Sequence, residues 1–349
     1  MKTYCNLPFE RLKFTSSGDY QSCCHQTAMY GNIIKENVTI EDAFNNPLLL
    51  EVQRAAMNGK LHPICANSTC PFFTKIDQLD EISTSEVEYN PKRPIDVEIS
   101  LHSTHCNIGG TNPTKDTACI MCPRASAEFM KWEPKEDQTD KIVEKIKPYM
   151  SELSVLNIQG IAEPFWKGKV LEIFDKLDWD SHKDHILFWS FSNGTVFGEK
   201  IQDEFIDRVT RCNIGFSIDA ATPETYKKLR RLDFFDTVER NVRRYFTKIK
   251  SLQNEERYFH AFTTYNINTM NVHEMEQMVR WSHGVGADRT EFTLTFNGSP
   301  TFELGDQHLC NESNWKIFWQ GQQKALAVAK ELNYHLDFYV PFHGGFLNT

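Results

Sequence analysis

Three of the ten cysteines crowd into one stretch, CNIGGTNPTKDTACIMCPR, running from Cys106 to Arg124. Twelve residues separate Cys106 from Cys119, and two separate Cys119 from Cys122. Thiolates are soft anionic ligands, and three of them around a Gly-Gly-Thr-Asn-Pro loop suit an iron–sulfur cluster or zinc. Four protein ligands close such a site, whereas three leave one metal position open for chemistry. Of the rest, Cys5, Cys23, Cys24, Cys65 and Cys70 lie in the first 70 residues, and Cys212 and Cys310 stand alone. The opening MKTYCNLPFERLKF turns polar within a few residues and has no secretory apolar core. Metal or redox cysteines are therefore expected ahead of disulfides.

The 349 residues are enough for one large domain and a smaller one. An apolar content of 40% and a charged content of 24% are ordinary for a soluble globular protein. The net charge of −9 argues against a nucleic-acid partner held by charge alone, though it leaves room for a local basic patch. No apolar run approaches the roughly 20 residues that span a bilayer. A cytoplasmic location without membrane contact is expected.

These cysteines must be positioned by the elements around them. In residues 1–75, FERLKFTSSGDYQSCC reads as a strand, a turn and a second strand, and IEDAFNNPLLLEVQRAAMNGK as a helix stopping near Gly59. Residues 76–94 are acidic and then Pro-punctuated, as a linker would be. From residue 95 strands and helices alternate. Strands are expected at 95–101, 153–159, 186–192, 212–218, 258–265 and 289–296, with a helical pattern after each of the first five. Six such units imply a parallel sheet, too few for a closed eight-stranded barrel, so an open, curved sheet is expected. A helix and a short strand follow in the tail. Cys106 comes just after the first strand of this series, where parallel α/β folds gather their ligands.

On these residues the sequence resembles the radical S-adenosylmethionine (SAM) superfamily. That family carries a CxxxCxxC loop after the first strand of a partial (β/α)6 barrel. The resemblance implies that Cys106, Cys119 and Cys122 hold a [4Fe–4S] cluster whose open iron binds the amino and carboxylate groups of SAM. Met121 matches the bulky residue usually found before the last cysteine. The first gap departs from the family, with twelve residues in place of three, which a loop absorbs at small entropic cost. After the second strand, NIQGIAEPF resembles the GGEP motif, with Gly160 and Glu163 in the matching places and Ala162 replacing a glycine. After the third, FSNGT resembles the TNG turn, and Ser190 and Ser192 are candidates to reach a ribose hydroxyl. The fourth strand and its helix, IGFSIDAATPETYKKLRR, match most specifically. By resemblance Ser217 binds the ribose or carboxylate of SAM and Arg230 pairs with its carboxylate. Asp219 shares the strand face of Ser217 and joins the cofactor-binding set, with a structural role as its other reading. Asn271 and Glu274 open a later helix, as capping residues would. No catalytic residue is assigned.

The N-terminal cysteines resemble the SPASM/twitch unit, a β-hairpin and helix that hold a second [4Fe–4S] cluster. The matching ligands are Cys5, Cys23, Cys65 and Cys70, with Cys24 as the fallback for Cys23; a four-cysteine zinc knuckle is the alternative. The family usually places this unit after the barrel rather than before it. The resulting fold is α/β, with an auxiliary-cluster domain and linker at 1–92, a partial (β/α)6 barrel at 93–305 and a C-terminal extension at 306–349. The resemblance implies reductive cleavage of SAM and hydrogen abstraction from a peptide or protein, with a flavodoxin or ferredoxin as electron donor. A small-molecule substrate, oxidised by a dehydrogenase, is the alternative. A zinc-stabilised binding protein is the rival of another class.

Overall fold

The computed structural model describes residues 5–24, 26–65, 95–294, 312–339, 341–342 and 345–346. Cys70, Cys310 and the expected linker lie outside the described residues.

The chain opens with one helical turn, α1 (Leu7–Glu10), which has Pro8 in its first turn. Phe9 and Glu10 are thus helical, and the first strand, β1 (Arg11–Phe14), starts two residues later than the sequence pattern places it. Gly18 turns the chain at φ +88° into β2 (Asp19–Gln21), and β3 (Gly31–Asn32) completes the antiparallel set. The expected single helix is two, α2 (Ile40–Phe44) and α3 (Pro47–Met57). Asn46 breaks it by accepting from the Leu48 amide at 3.0 Å, and Pro47 has no N–H to continue a preceding helix.

The alternating region follows its periodicity closely. Its elements run β4 (Ile95–Ser100), α4 (Ala127–Trp132), α5 (Thr139–Ile146), β5 (Leu153–Gln159), α6 (Lys169–Leu177), β6 (Leu187–Ser192), α7 (Glu199–Arg208) and β7 (Arg211–Ser217). Then come α8 (Pro223–Arg230), α9 (Phe235–Leu252), β8 (Tyr258–Ile267), α10 (Met275–Val285), β9 (Arg289–Leu294), α11 (Glu312–Leu332) and β10 (His335–Tyr339). A separate two-stranded pair joins β11 (Pro341–Phe342) to β12 (Gly345–Phe346).

In space the strand order is β10-β9-β8-β7-β6-β5-β4-β1-β2-β3. Every pairing from β10 to β1 is parallel, and only β1–β2 and β2–β3 are antiparallel. The result is a mixed α/β fold around a ten-stranded, mostly parallel sheet. Two parallel strands exceed the expected six. N-terminal β1 lies beside β4, from Arg11 opposite Asp96 to Phe14 opposite Ile99, and β10 lies beside β9.

Strand alternation gives the sheet two unlike faces. On β7, Cys212, Ile214 and Phe216 are buried among the apolar faces of α7 and α9, while Asn213 and Ser217 point the other way. The apolar core is continuous from Phe14, Tyr20 and Phe44 to Phe292 and Phe338. Among the described residues no helix is long and apolar enough to cross a membrane.

Candidate metal and cofactor site at the strand ends

Because the strands from β4 to β9 run parallel, their carboxyl ends share one edge of the sheet. A cavity of about 340 Å³ opens there. Its wall is assembled from the loops after β4 to β7 together with the ends of β8 and β9. Cys106, Cys119 and Cys122 all lie on it. Cys106, Cys119, Met121, Ile108 and Leu229 form a small apolar cluster apart from the main core.

The long first gap is folded back by Gly109 (φ +80°) and Gly110 (φ +61°). A Cβ at Gly109 would meet Pro113 at 3.2 Å and the Ala118 backbone at 3.3 Å, so the close approach favours glycine there. Arg124, 1% exposed, holds the loop from inside. Its Nη1 donates to the Ile108 carbonyl at 2.5 Å and its Nη2 to the Gly110 carbonyl. Outside, Asn107 donates to Thr195 Oγ1 at 2.8 Å and accepts from Asn193 at 3.0 Å, tying the loop to the turn after β6. The Ile120 amide donates to the Leu229 carbonyl at 2.9 Å, tying it to α8. Burial pushes the thiol of Cys106 up to about 11 and that of Cys122 up to about 12, and raises Cys119 as well. The Arg124 charge opposes this at all three. The three thiols share the cavity, and among the described residues no three His, Cys, Asp or Glu side chains are gathered as a metal ion's ligand set.

Of the seven residues singled out for cofactor binding, Gly160, Ser192, Ser217, Asp219 and Arg230 lie on the cavity wall, and Glu163 and Ser190 stand behind it. Gly160 adopts φ +124°, and a Cβ on it would lie 3.0 Å from the Leu101 backbone. Ser190 donates inward to the Ile158 carbonyl at 2.6 Å. Glu163 is fully buried and accepts from Ser192 Oγ at 2.8 Å, the Asn193 amide at 2.6 Å and the Phe165 amide at 3.3 Å. Burial outweighs these three donors and pushes its carboxyl up to about 7.

Arg230 lies at the centre of the wall. It donates to the Ser217 carbonyl at 2.7 Å and to Cys119 Sγ at 3.8 Å, and it pairs with the Asp219 carboxylate. Burial alone would lower its pKa, but Asp219 and Cys119 beside it raise the pKa above the usual arginine range. Asp219 holds a left-handed φ of +62°, fixed from three sides. Besides Arg230, its carboxylate accepts from the Asn266 amide at 2.7 Å, and its carbonyl accepts from Asn271 at 2.9 Å. Glu274 does not cap the helix it opens, where neither it nor Asn271 makes a side-chain cap bond; it accepts instead from the Ala221 amide at 2.8 Å and from Thr222 and Thr225, tying that turn to the start of α8.

The sequence reading passed over Arg124, Asn193, Thr264, Asn266 and Thr293, all on the wall. The period-two rule could have found Thr264 and Asn266, which alternate along β8 opposite Ser217 and the residues after it. Among the described residues, three buried groups near the thiols, Arg124 Nε, Arg230 Nε and the Tyr226 hydroxyl, have no partner. The Tyr226 hydroxyl, its pKa pushed up by burial, feels both Arg230 and Cys119.

At the other end of the sheet, Thr27 bonds to the Ile64 carbonyl through its amide at 2.8 Å and its hydroxyl at 3.1 Å. This brings the loop after Cys23 and Cys24 against Cys65, whose Sγ accepts from Gln26 at 3.7 Å. Cys24 is exposed and Cys23 half-buried. Cys5 packs on Phe9, Ala56 and Met57.

No protein-family model and no curated protein matches the sequence. Solved structures do. Native anSMEcpe with bound AdoMet is similar with a TM-score of 0.50 at 17% identity, over 70% of this chain and 64% of that one. SuiB of Streptococcus suis bound to S-adenosylmethionine is similar with a TM-score of 0.47 at 11% identity, over 86% of this chain and 59% of that one. A radical SAM methyltransferase from Sphaerobacter thermophilus is similar with a TM-score of 0.46 at 11% identity, over 72% of this chain and 67% of that one. At 17% identity the likeness to anSMEcpe is one of fold. The chain spans less than two thirds of the anSMEcpe and SuiB chains.

Proposed function

We propose that this protein is a radical SAM enzyme that modifies a peptide or protein, with a small molecule as the alternative substrate. The observation that carries the reading is a cavity at the strand ends, which Cys106, Cys119 and Cys122 share with Ser217, Asp219 and Arg230. The charge on the wall supports it: the guanidiniums of Arg124 and Arg230 line the cavity with the three thiols, and two cations there fit an anionic occupant. Three cysteines on one cavity leave a metal position without a protein ligand, as the [4Fe–4S] reading requires.

In this reading Cys106, Cys119 and Cys122 hold the cluster. When bound, it supplies the electron that cleaves SAM to a 5′-deoxyadenosyl radical able to take hydrogen from the substrate. The protein's own work is placement. Gly160 brings backbone to the cavity wall where a side chain would collide with Leu101. Arg230, its charge partly neutralised by Asp219, presents its guanidinium on the wall to a carboxylate. Ser217 and Thr264, bonded to each other at 3.2 Å, offer hydroxyls to a ribose. Ser192 lies on the wall beside them, whereas Glu163 and Ser190 act by holding the strand ends in register.

Cys5, Cys23, Cys65 and Cys70 are proposed to hold an auxiliary [4Fe–4S] cluster in an N-terminal unit spanning 1–92, ahead of a partial barrel at 93–305 and an extension at 306–349. The Thr27–Ile64 tie supports pairing Cys65 with the Cys23–Cys24 turn, and the half-buried place of Cys23 favours it over Cys24. The SPASM/twitch resemblance of this unit favours a peptide substrate. A flavodoxin or ferredoxin is the proposed electron donor.

The test is anaerobic reconstitution with iron and sulfide, followed by iron counting and an assay for 5′-deoxyadenosine with dithionite as reductant. Wild type should form it, and Cys119→Ala should not. Equal rates from the two proteins would overturn the assignment.

A further inference from the structure

The two buried arginines on the cavity wall are satisfied differently. Arg230 is paired with Asp219. Arg124 is more deeply buried, at 1% exposed, and among the described residues no carboxylate forms an ion pair with it. Its guanidinium reaches two backbone carbonyls, Ile108 and Gly110, and its Nε has no acceptor. An uncompensated buried cation is strongly unfavourable unless an anion faces it. What faces Arg124 is the cavity with its three thiols. The two carbonyls that it grips belong to the stretch between Cys106 and Cys119, the part of the loop with nine residues more than the CxxxCxxC spacing.

We propose that Arg124 is a positioning residue for the three-thiol site, clamping the long loop through Ile108 and Gly110 and supplying the buried positive charge that offsets the anionic group held by Cys106, Cys119 and Cys122. This rests on the reading of those cysteines as ligands of an iron–sulfur cluster. Two consequences follow from electrostatics. The clamp slows loss of the cluster, because the Cys106 arm cannot swing away while both carbonyls are held. The charge favours the reduced cluster, which carries one more electron, and so raises its reduction potential; net charge and hydrogen bonding around a cluster are what set that potential.

The experiment uses the full chain, reconstituted anaerobically, as wild type, Arg124→Met and Arg124→Lys. Two quantities are read: the half-time of iron release to a chelator, and the midpoint potential of the reduced-cluster EPR signal that changes on adding SAM. Only the cluster that meets SAM contributes to the second reading. Arg124→Met should release that cluster's iron about tenfold faster or more, the scale of outer-shell losses at metal sites, and its potential should fall. Arg124→Lys should hold the potential near wild type and still release iron faster, because a point charge cannot bridge two carbonyls. Wild-type release and potential in Arg124→Met would overturn the inference alone. Should Arg124→Met fail to fold, Arg124→Lys decides, and wild-type release from it overturns the clamp. A wild-type protein whose iron never responds to SAM would overturn the inference together with the reading on which it rests.

Discussion

Glu163 is a carboxylate with no exposed surface, and its stability contribution should depend on pH in a sense opposite to that of an ordinary surface acid. Burial raises its pKa from 4.5 to about 7, against the pull of the Asn193 amide, Ser192 hydroxyl and Phe165 amide. Below pH 4.5 both folded and unfolded chains carry the proton, and the group costs the native state nothing. Between 4.5 and about 7 the unfolded chain ionises first, so native stability falls as pH rises; above about 7 both states are ionised and the loss is complete. At about 1.4 kcal/mol for each tenfold difference in proton affinity, the full loss is about 3 kcal/mol. Gln cannot titrate, so the stability difference between wild type and Glu163→Gln isolates this term. Gln also turns an NH₂ toward one of the three donors, which adds a pH-independent penalty of about 1–3 kcal/mol to the variant. Urea unfolding of both proteins from pH 5 to 8 should show the wild-type advantage shrinking by about 2–3 kcal/mol and then levelling. A difference constant across that range would mean that the three donors, not burial, fix the ionisation state, and would refute the reasoning.

Arg230→Ala should cost about 3–5 kcal/mol, because it strands the Asp219 carboxylate, and adding Asp219→Ala should recover part of that in a double-mutant cycle. The same Arg230→Ala protein should bind SAM about tenfold more weakly or worse by calorimetry, and unchanged affinity would remove Arg230 from the cofactor site. Replacing Cys65 and Cys70 together by Ala should remove about four irons per chain and leave the SAM-responsive EPR signal intact. Zinc in anaerobically purified protein would sink the auxiliary cluster while leaving the other standing.

The alternating region was legible because each strand and helix announces itself within a dozen residues. Leu153–Gln159 was bounded correctly to the residue, and the other strands to within one or two where both ends are described. The N-terminal region was legible in its hairpin but not in its place. Nothing in RLKF says that Arg11 will lie opposite Asp96, because register between strands some 85 residues apart is set by the sheet and not by local pattern. The split at Asn46 was readable in principle, since Asn-Pro is a helix-start signal, but the apolar spacing on both sides hid it. Arg124 was invisible for another reason: an arginine after a proline looks like solvent-facing charge until the fold buries it.

The residues that carried the sequence resemblance divide into two kinds, and the division explains why a motif survives imperfectly. Ser217, Arg230 and Gly160 reach the cavity, where an occupant would select their chemistry. Glu163 and Ser190 do not; each spends its hydrogen bonds on joining one strand end to the next. Asp219 belongs to both kinds. Its left-handed backbone is a strained conformation for a residue with a side chain, costing on the order of 1–3 kcal/mol, and it is held by Arg230, Asn266 and Asn271. That strain turns the chain sharply after β7, so that α8 runs back and returns Arg230 to the strand that it left, eleven residues after Asp219. The geometry of this wall is set by the cross-ties between loops rather than by the spacing of the cysteines. Preorganisation of this kind fixes the groups on the wall before any ligand arrives. By the same reasoning, on the proposed function a cross-tie such as Glu163 would affect SAM affinity only through the shape that it holds.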